Sequence, residues 1–495
     1  MTYSTRTLTC LALLATAGRA AQAQQQKLPP IRALGKVDVV AAEPFGSVST
    51  TRALRDGRVL VNDIIGRRVV LLDSALATFT VVADTTSATA NAYSSRFGGL
   101  IPFTGDSTLF VDPTSLSMLV IDGTGKVGRV MSIPRPNDAQ SLIGGPNGAP
   151  SFDGQGRLVY RASPGFRFGG GGRPGAGAAQ RGGAGEDGRR RETADRPREG
   201  GGRTEGPGGA PFEPPQFPDS LPIVRIELAT RAMDTVAHVK VTRPRLTVAQ
   251  DSGGRMRMSS IIDPLPITDD WAVLTDGSIA VVRGLDYHVD WVRADGTKSS
   301  SGKIPFQWRH LSDSDKVAFI DSTRTAMEKV RAQFQAQRAA NGGTGPIIPP
   351  LGGDGLNAMG GAPQIMIFRG EAGVGGRGGE GPRARNEAGG PPTEFTLPPL
   401  QFVAPNELPD YAPPFTAGAA RADMDDNLWI RTTNTMNGGP VYDVIDAKGE
   451  LVDRVALPAG RVIAGFGPGG VVYMGVRDGK SVRLERAHRG AAPLP

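Results

Sequence analysis

Six segments of the chain share one pattern of apolar and polar positions. Each has a turn containing Gly or Asp, a run of apolar and β-branched residues, a second polar turn, and another such run. In the first segment the two runs are RVLVND and RRVVLLD, and in the second they are STLFVD and SMLVID. Short apolar runs bounded by turn residues are typical of buried strands. The pattern therefore predicts six pairs of strands.

Each pair can be extended by one strand on either side. Examples of the preceding and following strands are residues 47–54, 100–104 and 271–274, and residues 78–83, 127–133 and 451–457. Four strands per repeat are the size of a propeller blade. The sequence therefore predicts an all-β fold, a six-bladed β-propeller over residues 36–489.

The sixth repeat lacks its outer strand, because too few residues follow the strand predicted at 482–487. Residues 36–42 alternate between apolar and polar in the manner of a strand and belong to no repeat. We expect this N-terminal strand to complete the sixth blade, which closes the ring without exposed sheet edges. Residues 24–35 are predicted to be a flexible tail, and residues 490–495 a C-terminal tail.

Glycine and proline are concentrated in two insertions, about residues 165–215 in the third repeat and about residues 341–399 after the fourth. Both have few apolar residues to bury and are predicted to be disordered. Just before the second insertion, Ser312 and Asp315 match a capping box. Apolar residues then recur at helical spacing and predict a helix over about 313–338. This helix either covers a propeller face as a lid or lies against a blade edge.

The N-terminus has the pattern of an export signal. Arg6 precedes an apolar stretch, and Ala21-Gln22-Ala23 is a small-residue cleavage site. We expect a signal peptide over residues 1–23 and a mature chain in the periplasm or outside the cell. No later segment has about 18 consecutive apolar residues, so no transmembrane segment is expected. Cys10 is the only cysteine, which excludes disulfides and cysteine metal sites from the mature chain.

The net charge of +7 does not indicate a nucleic-acid partner, because acidic and basic residues are interleaved along most of the chain. We expect a monomer.

Candidate ligand-binding residues close the first run of five of the pairs. They are Asn62, Asp63, Asp112, Arg161, Arg283 and Arg431. Oxygen atoms of the first two blades suit a hard cation, and the arginines suit a carboxylate or a phosphate. The alternative is that these positions are polar because each begins a turn.

Other acidic residues and one histidine complete the candidates. The aspartates that end the second runs are predicted to cap hairpin turns rather than to act in catalysis; they are Asp73, Asp122, Asp295 and Asp446. His288, in the turn between the core strands of the fourth repeat, is a candidate general base. No histidine pair has metal-ligand spacing.

The repeats DGRVLVND and DDNLWIRT resemble those of the six-bladed propeller superfamily that groups NHL-repeat, TolB-like and gluconolactonase-like proteins, and in particular secreted bacterial propellers. The resemblance implies the fold for nearly all of residues 36–489 outside the insertions. The lactonase branch holds an axial calcium or zinc through Glu, Asn and Asp from different blades. By this resemblance, Glu43, Asn62 and Asp112 are candidate metal ligands.

Three hypotheses of function follow. The first is a module without a cofactor that binds a protein, peptide or glycan through the axial face. The alternative is a metal-dependent hydrolase or lactonase that uses calcium or zinc at the same face. The third is a structural scaffold whose insertions recruit partners.

Overall fold

The structure is a computed structural model. It describes residues 28–48, 50–86, 91–94, 98–163, 217–243, 245–250, 256–340, 399–479 and 481–490. The predicted signal peptide and nearly all of the two predicted insertions lie outside the described residues.

The described strands include six sheets that each contain an antiparallel meander of consecutive strands. The first sheet contains β3 (Thr50–Ala53), β4 (Val59–Asp63), β5 (Arg68–Leu72) and β6 (Phe79–Asp84). The second contains β7 (Gly99–Pro102), β8 (Thr108–Asp112), β9 (Ser117–Ile121) and β10 (Val127–Ser132). The third contains β11 (Ser151–Phe152), β12 (Leu158–Arg161), β13 (Ser220–Ile226) and β14 (Met233–Lys240).

The remaining three sheets repeat this order. The fourth contains β17 (Asp270–Val273), β18 (Ile279–Arg283), β19 (His288–Val292) and β20 (Lys298–Ser300). The fifth contains β22 (Phe415–Ala422), β23 (Leu428–Met436), β24 (Gly439–Ile445) and β25 (Leu451–Ala456). The sixth contains β26 (Arg461–Gly467), β27 (Val471–Asp478) and β28 (Ser481–His488), completed by β2 (Val37–Val40).

Each sheet shares an apolar core with the next, and the sixth shares one with the first. Representative pairs along this cycle are Leu60 with Phe110, Val111 with Tyr160, Tyr160 with Trp271, Tyr287 with Phe415, Trp429 with Met474, and Tyr473 with Val70. The second strands β4 and β8 are buried along their whole length, because sheets cover both of their faces. This burial explains the apolar runs in their sequences, which polar residues follow at the end of each strand. The chain is a β-propeller, as the repeats predict.

The N-terminal segment joins two neighbouring sheets. β2 pairs antiparallel with β28, which confirms the predicted closure. Just before it, β1 (Ile31–Ala33) pairs parallel with β25. The prediction of a flexible tail over residues 24–35 is therefore wrong for these three residues. A three-residue strand is too short to show alternation, and its Arg32 side chain is held by the buried carboxylate of Asp453.

A small lobe lies outside the propeller repeat. β15 (Arg245–Gln250) pairs antiparallel with β16 (Met256–Ile262), and β16 pairs parallel with β21 (Gln401–Phe402). The sequence did not indicate this sheet, whose third strand follows β16 only after more than a hundred residues.

The predicted helix is confirmed as α1 (Asp313–Ala340). Its capping box is confirmed as well, since the Asp315 carboxylate accepts the Ser312 N–H and the Asp315 N–H reaches the Ser312 hydroxyl. The helix packs on Leu265, Leu311, Val403, Leu408 and Ala412. These residues lie in the chain segments that connect sheets. The helix therefore shares its apolar core with these segments and with the small lobe. Val317, one of the apolar residues that recur at helical spacing, is exposed.

No helix in the described part of the chain is both long enough and apolar enough to cross a membrane.

Candidate functional site

The second strands of the six sheets finish at one end of the propeller, because neighbouring sheets repeat the same strand order. We call this the axial end; it carries Asn62, Asp63, Asp112, Arg161, Arg283 and Arg431. Residues at the fourth position of a second strand (Asn62, Arg161, Arg431) point to the opposite face of the sheet from those at the fifth position (Asp63, Asp112, Arg283), because side chains alternate along a strand. The two groups have different environments.

Asp63 is fully buried and holds the chain segment that leads into its own sheet. Its carboxylate accepts the backbone N–H of Ser47 and of Gly66, both at 2.8 Å. One side chain thus joins the segment before β3 to the turn after β4. This arrangement supports a structural role for Asp63.

Asp112 has the equivalent role in the second sheet. Its carboxylate accepts the Ser94 N–H at 2.8 Å, the Ser94 hydroxyl at 2.7 Å and the Ser115 hydroxyl at 2.7 Å. Burial raises the pKa of this carboxyl, but the hydrogen bonds from Ser115 and Ser94 outweigh burial, so its pKa is lowered overall.

Arg283, at the same position in the fourth sheet, is neutralised by two carboxylates. Its Nη1 lies 2.6 Å from Asp269 Oδ2, and its Nε lies 2.7 Å from Asp290 Oδ2. His288, the candidate general base, lies beside this group as the first residue of β19. Its Nδ1 is 2.6 Å from Asp286 Oδ1 and its Nε2 is 3.3 Å from Asp290 Oδ1. Carboxylates thus contact both ring nitrogens, an arrangement that leaves neither nitrogen turned toward a substrate.

The three candidate metal ligands are placed differently from one another. Glu43 is exposed, whereas Asn62 is buried and its Nδ2 donates to the Gly98 carbonyl oxygen at 2.7 Å. Both oxygens of Asp112 already accept hydrogen bonds from protein donors. Among the described residues, no group of three His, Cys, Asp or Glu side chains is arranged to hold a metal ion. The side chains described here therefore do not fit a shared calcium or zinc ion, and the metal site stays a prediction.

The aspartates that end the second apolar runs cap hairpin turns, as predicted. Asp73 accepts the N–H of Ala77 and of Thr78, both at 2.9 Å. Asp122, Asp295 and Asp446 accept backbone N–H groups of their own turns in the same way.

The fourth-position arginine of the third sheet contacts a segment that crosses to the fourth sheet. The Arg161 guanidinium donates to the side-chain oxygen of Asn147, and the Asn147 carbonyl accepts the Trp271 Nε1–H at 3.1 Å. Gly148 follows with φ +90°, and a Cβ there would lie 2.2 Å from Trp271 Nε1. Only glycine therefore fits between this segment and the indole ring.

Asp270 lies beside this segment, and the sequence did not identify it. It is the first residue of β17 and is buried. Its Oδ2 accepts the Ala420 N–H of the fifth sheet at 2.8 Å, and its Oδ1 accepts the Trp271 N–H at 2.9 Å. The sequence does contain a signal for this residue. Two acidic residues directly precede the apolar run WAVL, so the second of them must be buried when the strand packs.

Burial raises the pKa of Asp270 from its usual 3.8 to about 6, although two backbone N–H groups and Arg161 act in the opposite direction. At pH values between 3.8 and about 6, the folded protein therefore holds a proton that the unfolded chain has lost. The stability contributed by this group rises as the pH falls through this window, and is lost as the pH rises through 6. At 1.36 kcal/mol per pKa unit, the change is about 3 kcal/mol.

This pH effect is testable with the Asp270→Asn variant, which cannot titrate. Urea unfolding between about pH 4.5 and 7.5 should show wild type gaining about 2 kcal/mol relative to the variant at the acid end, most of the full change. The exposed Asp73, whose pKa is lowered by hydrogen bonds from Thr78 and Ala77, supplies the control. The unfolding free energy of Asp73→Asn should change with pH in parallel with that of wild type in this window. Parallel curves for wild type and Asp270→Asn would contradict the prediction.

A second residue that the sequence did not identify is Arg421 on β22. It follows Ala420, whose N–H is bound to Asp270, and it is partly buried. Burial lowers the pKa of this guanidinium and the positive charge of Arg431 lowers it further, while Tyr442 and Asp270 raise it. Arg161 and Arg421 thus lie near one buried carboxylate, and Arg431 lies near Arg421.

Comparison with known proteins gives no family. No protein-family model matches, and no curated protein matches. Among solved structures, the chain is similar to a gluconolactonase from Xanthomonas campestris at 9% identity and a TM-score of 0.34, covering 93% of this chain and 97% of that one. It is also similar to the calcium-binding protein regucalcin from Agrobacterium tumefaciens at 10% identity and a TM-score of 0.30, covering 94% and 99%.

A catalytically inactive virginiamycin B lyase from Staphylococcus aureus, solved with quinupristin, shows 8% identity and a TM-score of 0.31, covering 92% of this chain and 99% of that one. Similarities of this size do not inform the function of this chain. The propeller assignment stands on the order of its sheets and on the cycle of shared cores.

Proposed function

We propose that the mature chain is an exported six-bladed β-propeller that binds a ligand or a partner protein through its axial end. The observation that carries this proposal is the state of Arg431. In the described part of the chain, the Arg431 guanidinium has neither an ion pair nor a hydrogen bond. Asp63, Asp112 and Arg283 at the same end are engaged by the protein itself, so Arg431 is the candidate that remains for a ligand.

Export is supported by the sequence of residues 1–23, which has the charge, apolar stretch and cleavage site of a signal peptide. A binding module needs a shaped surface and no reacting group. The contacts of His288 with two carboxylates favour binding over general-base catalysis at the fourth sheet.

Metal analysis separates this proposal from the metal-dependent hydrolase. The mature protein, purified without chelator, is expected to contain no stoichiometric calcium or zinc, to melt at the same temperature before and after EDTA, and to hydrolyse no lactone or ester above background. Mass spectrometry, a melting curve and a substrate screen measure these three outcomes. A stoichiometric ion whose removal lowers the Tm would replace the binding proposal with the hydrolase, and Asn62→Ala and Asp112→Ala would then be tested for loss of the ion.

A further inference from the structure

Two guanidinium groups of the fifth sheet lie on one face without a carboxylate partner. Arg421 on β22 is opposite Trp429 on β23, and Arg431 on β23 is opposite Tyr442 on β24. Trp429 and Arg431 are two residues apart, so all four side chains share a face of the sheet. Trp429 and Tyr442 pack against Ile463 and Phe466 of the sixth sheet. Both arginines therefore face the boundary between the fifth and sixth sheets.

The charge of this pair is not balanced within the described part of the chain. Neither Arg421 nor Arg431 makes a hydrogen bond or an ion pair there. Of the nearby acids, Asp270 has both oxygens bound to backbone N–H groups. Glu485 on the sixth sheet is held by Arg461, with Nε 2.6 Å from Oε2.

The opposite face of the fifth sheet has its own charge pair. There, Asp443 accepts the Tyr287 hydroxyl at 2.9 Å and lies 3.4 Å from Arg454 Nε. Asp443 is thus directed away from Arg421 and Arg431, because Asp443 and Tyr442 alternate along β24.

Two adjacent positive charges in a partly buried place are unfavourable unless an anion joins them. Burial raises the pKa of Tyr442, while the charges of Arg431 and Arg421 beside it act in the opposite direction. The Tyr442 hydroxyl has a hydrogen that it can donate. Two guanidinium groups and one hydroxyl are donors suited to the oxygens of a phosphate or a carboxylate.

We propose that Arg421 and Arg431, with Tyr442 beside them, bind the oxygens of a doubly charged anionic group carried by the ligand. This inference rests on the proposed function, since it names the chemical class that the axial end would recognise. A group of charge −2 matches the two guanidinium groups, whereas Asp270 lies between Arg161 and Arg421 and offsets only part of the positive charge.

Inorganic phosphate and succinate serve as probes for the two sources of such a group. Isothermal titration of the full mature chain is expected to give saturable binding of at least one of them, compared with chloride at equal ionic strength. Binding of phosphate alone supports a phosphoryl ligand, binding of succinate alone a dicarboxylate, and binding of both a site that recognises charge. Each arginine replaced by Gln should weaken binding about tenfold, since charge-assisted hydrogen bonds are lost.

The Arg55→Gln variant is the control, because the Arg55 side chain is 79% exposed at the opposite end of the first sheet. It removes the same charge and should bind as wild type does. Arg431→Lys should keep part of the affinity, and circular dichroism of each variant reports whether it is folded. Absence of binding in wild type, or equal weakening in Arg55→Gln and Arg431→Gln, would overturn the inference.

Failure of this inference is distinguishable from failure of the proposed function. If no anion binds and no stoichiometric metal is found, the axial end binds something else and only the anion site is lost. If a structural calcium or zinc is found together with lactone hydrolysis, the binding-module function is lost whatever the anion titration shows.

Discussion

A chain that begins at residue 43 is expected to lose more than about 5 kcal/mol of unfolding free energy, roughly the stability of an ordinary domain. Such a chain lacks β1 and β2. The edge of β28, the last described strand, then loses its pairing, because β2 is the strand beside it on that side among the described strands. The truncation also removes Val37, Val39 and the buried Ala41 from the cores that join the sixth sheet to its neighbours.

Two further chains separate the contributions of the N-terminal strands. A chain that begins at residue 28 keeps both strands and should unfold like a chain that begins at residue 24. A chain that begins at residue 36 keeps β2 but lacks β1 and Arg32, so its stability should be intermediate. Urea unfolding followed by circular dichroism measures the series, and size-exclusion chromatography detects association through the exposed edge. If the chain beginning at residue 43 unfolds at the same urea concentration as the chain beginning at residue 28, closure by β2 does not stabilise the ring.

Replacing Asp453 by alanine is expected to lower the unfolding free energy by about 3 kcal/mol. The Asp453 side chain is 2% exposed and accepts hydrogen bonds from Arg32 Nε and Arg489 Nε, each at 3.0 Å. Arg32 belongs to β1, and Arg489 directly follows β28. One buried carboxylate on β25 therefore holds the first described strand and the residue after the last one, and its loss removes a shared counter-charge from two partly buried arginines.

The Asp478→Ala variant is the matched control for this prediction. Asp478 also pairs with an arginine, Arg483, at 2.7 Å, but the side chains are 55% and 39% exposed. Exposed ion pairs contribute about 0–1 kcal/mol, so this variant should remain close to wild type. Urea unfolding at neutral pH compares the two. Equal losses of unfolding free energy in Asp453→Ala and Asp478→Ala would show that burial of Asp453 does not increase its contribution to stability.

The propeller could be predicted because its signal is repeated and local. Strands such as β4 and β8 are covered on both faces, so each appears in the sequence as an unbroken apolar run between turn residues. The turn aspartates could be predicted for a similar reason. Asp73 binds N–H groups only four and five residues away, so the whole interaction lies in the local sequence.

The candidate site could be predicted only in part. The sequence indicated that polar side chains close the second strands, and this holds for Asp63, Asp112 and Arg283. It could not distinguish which of them the protein uses internally. One partner of each, Ser47 for Asp63 and Asp269 for Arg283, lies in the segment that precedes the sheet, and only folding brings that segment to the end of the second strand.

The sequence by itself determined the class of fold, the closing N-terminal strand and the capped helix, because each depends on periodicity or on contacts between near neighbours. The tertiary structure alone decided the rest. It paired β1 with β25, joined β16 to β21, and placed Arg421 of an alanine-rich strand beside Arg431 and the buried Asp270. These arrangements depend on how neighbouring sheets face each other, and side chains that meet across a sheet boundary leave no regular spacing in the sequence.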